Sequence, residues 1–158
     1  MRKYLKYLFL TGAIAVSIAP AHAFSFDNLS SSRQPDGFRD VYWGSCKSDH
    51  PYLFSMYDNV DGVEIFHREL ENLTLSSARL TEIIYHFYND KFYQVSIKLK
   101  SDNDYQPLLS TLTEAYGKPE KDSGIYIWEN DTVVIRLFPE GATISYLPIL
   151  NKIGNKEK

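Results

Sequence analysis

The spacing of apolar and polar positions predicts a chain built mostly from strands, with two helices. Residues 104–116 carry the helical period: Tyr105, Leu108, Leu109, Leu112, Ala115 and Tyr116 form one amphipathic stripe. Asp104 is placed to accept hydrogen bonds from the first-turn amides, Pro107 to sit where its missing N–H costs little, and Gly117 with Pro119 to stop the helix. A shorter helix is expected over residues 48–56, with Ser48 as its cap, Asp49 in its first turn, and Tyr52, Leu53 and Met56 along it.

The remaining segments read with a period of two. Residues 38–43 form a strand that stops at Gly44. Residues 63–69 form another, with Val63, Ile65 and His67 on one face and Glu64, Phe66 and Arg68 on the other. Residues 80–99 predict a hairpin around Asn89–Asp90. With a two-residue loop, Phe87 faces Phe92 and Ile84 faces Val95; Ile83, Tyr85, Phe87 and Phe92 then share one face, and Leu80, Ile84, Val95, Ile97 and Leu99 the other. A slip of one residue exchanges these roles. Turns at Asn130–Asp131 and Glu140–Gly141 predict three further strands, with Trp128 opposite Val133, Tyr126 opposite Ile135 and Leu137 opposite Ile144 on one core face. The expected fold is α+β, an antiparallel sheet of about six to seven strands with both helices on one face, in the order βαβββαβββ. The other face is left for solvent or a partner.

The first 23 residues change the picture. Arg2, Lys3 and Lys6 precede an apolar run from Leu8 to Ala19, and Ala21 and Ala23 stand where a signal peptidase reads small residues. Residues 1–23 are expected to be a signal peptide cleaved after Ala23, 24–36 a polar leader, 37–150 a single domain and 151–158 a charged tail. The apolar run reaches only about 18 Å as a helix, short of the roughly 30 Å hydrocarbon core. Cys46 lies far from the position a lipoprotein signal requires. The expected location is therefore the bacterial periplasm or the medium, with no stable membrane anchor after cleavage. Losing three of the 17 basic residues leaves 14 against 20 acidic ones, which speaks against nucleic acid as a partner. A single cysteine excludes a disulfide framework.

Four short patterns carry a resemblance: Phe38-x-x-Val41-x-Trp43-Gly44, then Tyr85-x-Phe87-Tyr88-x-x-Lys91-Phe92-Tyr93-x-Val95, then Tyr116-Gly117-Lys118-Pro119, and Tyr126-x-Trp128. Together they resemble small exported bacterial proteins of unassigned function. The element order is similar to the doubled helix-and-sheet unit of β-lactamase inhibitor proteins and of small outer-membrane assembly lipoproteins. Ser123-Gly124-Ile125-Tyr126 resembles the Ser-Gly loops of periplasmic lysozyme inhibitors. These likenesses imply a binding or inhibitory role.

Candidate chemistry is sparse. Cys46 and His50 have the spacing of a nucleophile and its base on one helix, which defines the alternative of a small hydrolase or thiol-dependent enzyme. His67 with Glu69, and His86 with Glu82, each offer two ligands, too few for a closed metal site. No G-x-S-x-G, S-x-x-K, H-E-x-x-H or glycine-rich phosphate loop is present. No cofactor is expected. The reading is a non-enzymatic module that binds an envelope protein or small ligand through its sheet face, with Tyr85, Phe87, Phe92 and Arg68 as the contact residues.

Overall fold

The computed structural model describes residues 35–56 and 61–155, so the expected signal peptide and most of the expected leader lie outside the described residues. The chain begins with a small hairpin of β1 (Gly37–Phe38) and β2 (Val41–Tyr42), joined through Arg39 at φ 56°. Then come a 3-10 turn at Lys47–Asp49, β3 (Leu53–Ser55), β4 (Val63–Arg68), β5 (Thr74–Leu75), β6 (Ala78–Tyr88) and β7 (Lys91–Leu99). A second 3-10 turn leads into α1 (Tyr105–Tyr116), followed by β8 (Glu120–Asp122), β9 (Ile125–Glu129), β10 (Val133–Phe138), β11 (Gly141–Tyr146) and α2 (Leu147–Gly154). The α+β class holds, but among the described residues the main sheet has nine strands, in the spatial order β3-β4-β6-β7-β11-β10-β9-β8 with β5 paired to β6.

The helix expected over residues 48–56 is absent, and with it the doubled helix-plus-three-strands order. Pro51 disfavours helical geometry at the residue before it, and His50 is at φ −126°, ψ 68°. Leu53 then enters an edge strand opposite Arg68, where it is buried. The charged tail is also corrected, because its first residues form α2. Tyr146, Ile149, Leu150 and Ile153 fall at i, i+3, i+4 and i+7, and Pro148 sits in the first turn where its missing N–H is harmless.

The two helices lie on opposite faces of the sheet. Leu108 and Leu112 of α1 join the main core, whereas Ile149 of α2 packs with Tyr88 and Tyr93 in a separate cluster. The central hairpin explains how one face becomes so apolar. Its loop is Asn89–Asp90 with both residues at positive φ, the twist-compatible two-residue turn. Tyr93 is then an extra residue, since Phe87 pairs with Phe92 but His86 pairs with Gln94. That bulge flips the rest of β7, so Val95, Ile97 and Leu99 join Ile83, Tyr85 and Phe87 rather than Ile84. Gln94 and Ser96 turn instead to the second face, beside His86.

The C-terminal pairings differ by two residues from those expected. Trp128 pairs with Ile135, Tyr126 with Leu137, and Leu137 with Ala142. Because side chains alternate with a period of two, the same residues still share the core face. Gly141 is held to glycine by sheet closure, since a Cβ there would lie 1.9 Å from the Ile97 carbonyl oxygen. Asp104 precedes α1, yet its carboxylate makes no cap bond. Arg79 and Ser101 take it instead, and Arg79 holds this carboxyl well below the usual range.

Candidate functional site at the hairpin and edge strands

Tyr85, Phe87 and Phe92 are core residues, each 0% exposed. The bulge and the covering hairpin put them inside: Phe38 packs edge-on against Tyr85, and Trp43 stacks on Phe92 at 4.7 Å. A contact surface made from their exposed rings does not exist in the folded domain. Arg68 alone of the four expected contact residues reaches the surface, with its side chain 20% exposed. Its guanidinium lies 4.4 Å over the Tyr52 ring and 5.6 Å over that of Tyr85.

Arg68 belongs to a network that no sequence pattern announces. The Arg68 guanidinium pairs with Asp40 through Nη2 and approaches Glu71 through Nε at 3.7 Å. Arg39 pairs with the same Glu71, and the Tyr85 hydroxyl donates to Glu71 Oε2 at 2.6 Å. Glu71 is thus a buried carboxylate held by two cations and a hydroxyl, the condition under which a charge is tolerated away from water. Burial pushes the Tyr85 hydroxyl up to about 12, which keeps it a donor.

From Asp40 a second chain runs toward the 3-10 turn. The Tyr52 hydroxyl donates to Asp40 Oδ2 at 2.8 Å and lies 2.9 Å from His50 Nδ1; His50 Nε2 is 2.8 Å from Ser45 Oγ, which lies 2.7 Å from the Tyr42 carbonyl. Burial together with the bond to Asp40 raises Tyr52 to about 12. Burial works to raise the Asp40 carboxyl, but hydrogen bonds from Arg68 and Tyr52 outweigh it and the net direction is down. Burial lowers His50 in turn, against the partial offset of Asp40 and Asp49. Since Tyr52 gives its proton to Asp40, His50 carries hydrogen on Nδ1. Its Nε2 and the Tyr42 carbonyl then compete for the Ser45 proton.

A serine in hydrogen-bond reach of a histidine, with a carboxylate joined to the other ring nitrogen only through the Tyr52 hydroxyl, resembles part of the skeleton of an acyl-transfer centre. The surroundings do not complete it. Stabilising an oxyanion needs unengaged donors, yet the amides of Gly44, Ser45, Cys46 and Lys47 already donate to Phe92 O, Tyr42 O, Asp49 Oδ2 and Asp90 Oδ1. Those bonds anchor the segment to the start of β7, where Phe92 also donates to the Ser45 carbonyl. Cys46 and His50 are not partners: both imidazole nitrogens are engaged as above, and Cys46 Sγ is 3.0 Å from Lys91 Nζ. His67 contacts Phe54, and His86 Nε2 lies 2.9 Å from Ser96 Oγ. Among the described residues no three His, Cys, Asp or Glu side chains converge as metal ligands, and no helix is long and apolar enough to cross a membrane.

The surface of this region is as distinctive as its interior. The large apolar side chains exposed among the described residues are Tyr42 (63%), Phe54 (45%), Leu70 (98%) and Leu73 (37%). All four belong to the hairpin, to β3 or to the loop that follows β4. Ser123–Gly124 is the positive-φ turn between β8 and β9, away from these residues in the sheet order. Asp40, Tyr52, Leu70 and Glu71 were missed at the level of sequence; the available signal was the pair Leu70-Glu71, which follows the strand of residues 63–69 and belongs to no periodic element.

Comparison with known proteins gives one match. A family model described as the TP0088 domain covers residues 54–155, from within β3 to the end of α2, including Arg68, Leu70 and Glu71. No curated protein and no solved structure matches the chain. With well over half of its length inside that match, the chain belongs to the TP0088 domain family, which is uncharacterised.

Proposed function

We propose that the protein is an exported binding module that engages another envelope protein through the edge where the hairpin, β3 and β4 meet. One observation carries the reading: the four large apolar side chains exposed among the described residues all lie in the hairpin, β3 and the loop after β4, elements that the ion pairs of Arg68 with Asp40 and Glu71 help to tie together. Exposed apolar groups backed by a rigid polar frame are what a protein interface presents. The N-terminal segment supplies the address, as a signal peptide removed after Ala23.

The test uses the full chain expressed with its own leader and a photoreactive phenylalanine analogue at position 54, with the same analogue at the exposed Gln106 of α1 as control. A discrete protein adduct from position 54 and none from position 106 supports the edge. Equal labelling at both, or at neither, removes it.

The contact between Ser45 and His50 favours a second reading, a small hydrolase. Turnover of activated esters that disappears in Ser45→Ala would establish that reading. With the neighbouring amides engaged, the expected outcome is no difference between Ser45→Ala, Cys46→Ala and the parent.

A further inference from the structure

We propose that the loop of residues 69–73 is an insertion loop that seats Leu70 in an apolar socket on the partner protein; this deepens the binding reading above and rests on it. Leu70 is 98% exposed and sits at φ 56°, so a large apolar side chain is held wholly in water on a backbone conformation that favours glycine. The loop carrying it is not slack. On one flank the Glu71 carboxylate is buried beneath Arg39, Arg68 and the Tyr85 hydroxyl, and its Oε1 accepts from the Asn72 amide at 3.1 Å. Further along the same side Arg39 Nη2 donates to the Asn72 and Thr74 carbonyls, Thr74 Oγ1 donates to Asn72 Oδ1 at 2.7 Å, and the Leu80 amide donates to the Leu73 carbonyl at 2.9 Å. The hairpin and β6 thus fix the segment directly after Leu70, and β4 ends two residues before it, so Leu70 projects from an anchored loop without folding back on the core. An apex already ordered in its bound form loses little entropy on docking.

The surroundings select a protein over a lipid surface. Glu69 is exposed beside Leu70, Asp40 keeps half of its side chain in solvent, and Arg39 and Arg68 point inward to carboxylates. The whole chain carries a net charge of −3, whereas anionic membranes recruit outward-facing Lys and Arg. The complement of this loop is a leucine-sized apolar pocket with a basic rim.

The experiment reads the adduct formed from position 54 in the envelope fraction, in proteins that also carry Leu70→Ser or Leu70→Met. Leu70→Ser is expected to cut adduct yield at sub-saturating concentration roughly ten- to a hundred-fold, the range for losing one buried leucine. Leu70→Met should stay within about two-fold. Neither changes the unfolding midpoint, because the side chain makes no core contact, and added salt weakens the parent adduct. An adduct indifferent to Leu70→Ser overturns the insertion loop and leaves the binding module standing. Absence of any adduct from the parent fails the binding reading itself. Leu70-dependent sedimentation with phosphatidylglycerol–phosphatidylethanolamine vesicles, or a Leu70-dependent adduct of dimer mass, also overturns the proposal by assigning the loop to lipid or to a second copy.

Discussion

His86 stands on the second face of the sheet with Ser96 Oγ 2.9 Å from its Nε2, and burial alone pushes its pKa down from 6.5 to about 4. The unfolded chain therefore takes up this proton first, so the stabilising term is complete above pH 6.5 and is lost as pH falls toward about 4. The loss should reach about 3 kcal/mol, and His50, lowered by its own burial, adds in the same direction. Urea unfolding at stepped pH checks this: His86→Asn should flatten the decline between pH 6.5 and about 4, whereas an unchanged slope would refute the assignment. On the opposite face, Phe87→Ala should cost about 3–5 kcal/mol, because the ring is fully buried and touches Phe66 and Phe92. An exposed binding ring would cost almost nothing, so the same denaturation series tests its placement in the core. At Glu71, replacement by Gln should leave Arg39 and Arg68 short of a counter-charge and cost about 3 kcal/mol.

Elements divide according to whether local pattern or distant packing decided them. The extent of α1 was legible, because its stripe, Pro107 and Gly117 all act within the segment, whereas the carboxylate of Asp104 went to the distant Arg79 instead of to a cap bond. So was the Asn89–Asp90 turn, where residue type and positive φ coincide. The segment at residues 48–56 was not, since Ser48 and Asp49 look like a helix start whereas His50-Pro51 forbids its continuation. α2 was passed over because Asn151, Lys152 and the charged end masked the period of Tyr146, Ile149, Leu150 and Ile153. The bulge at Tyr93 has no marker in residue type; it exists because flipping β7 collects Val95, Ile97 and Leu99 into one core. At the β7–β11 seam, Gly141→Ala should destabilise by about 3 kcal/mol, since the added methyl meets backbone and only strand separation relieves it. A loss below about 0.5 kcal/mol in thermal or urea unfolding would contradict so close an approach.

On the scale of the whole molecule, export and edge binding are separable claims. Mass spectrometry of protein recovered from the periplasm or medium should give a chain beginning at Phe24; a retained leader would refute cleavage after Ala23. Of the expected contact residues, Arg68 came to the edge and three rings went to the core, for a reason composition cannot express. Aromatic and β-branched residues in a strand state only that a face is apolar. What covers that face is settled by elements far away in the chain, here the β1–β2 hairpin and α1. The network of Asp40, Arg68 and Glu71 is likewise assembled across 31 positions, so no local window contains it. By itself the sequence determined the α+β class, the main turns, the best helix and the sharing of core faces in the C-terminal strands, because those depend on periodicity and backbone preference within a few residues. Tertiary structure alone decided the nine-strand order, the opposite placement of the helices and the exposure of Leu70, because each follows from which distant surfaces compete to be buried.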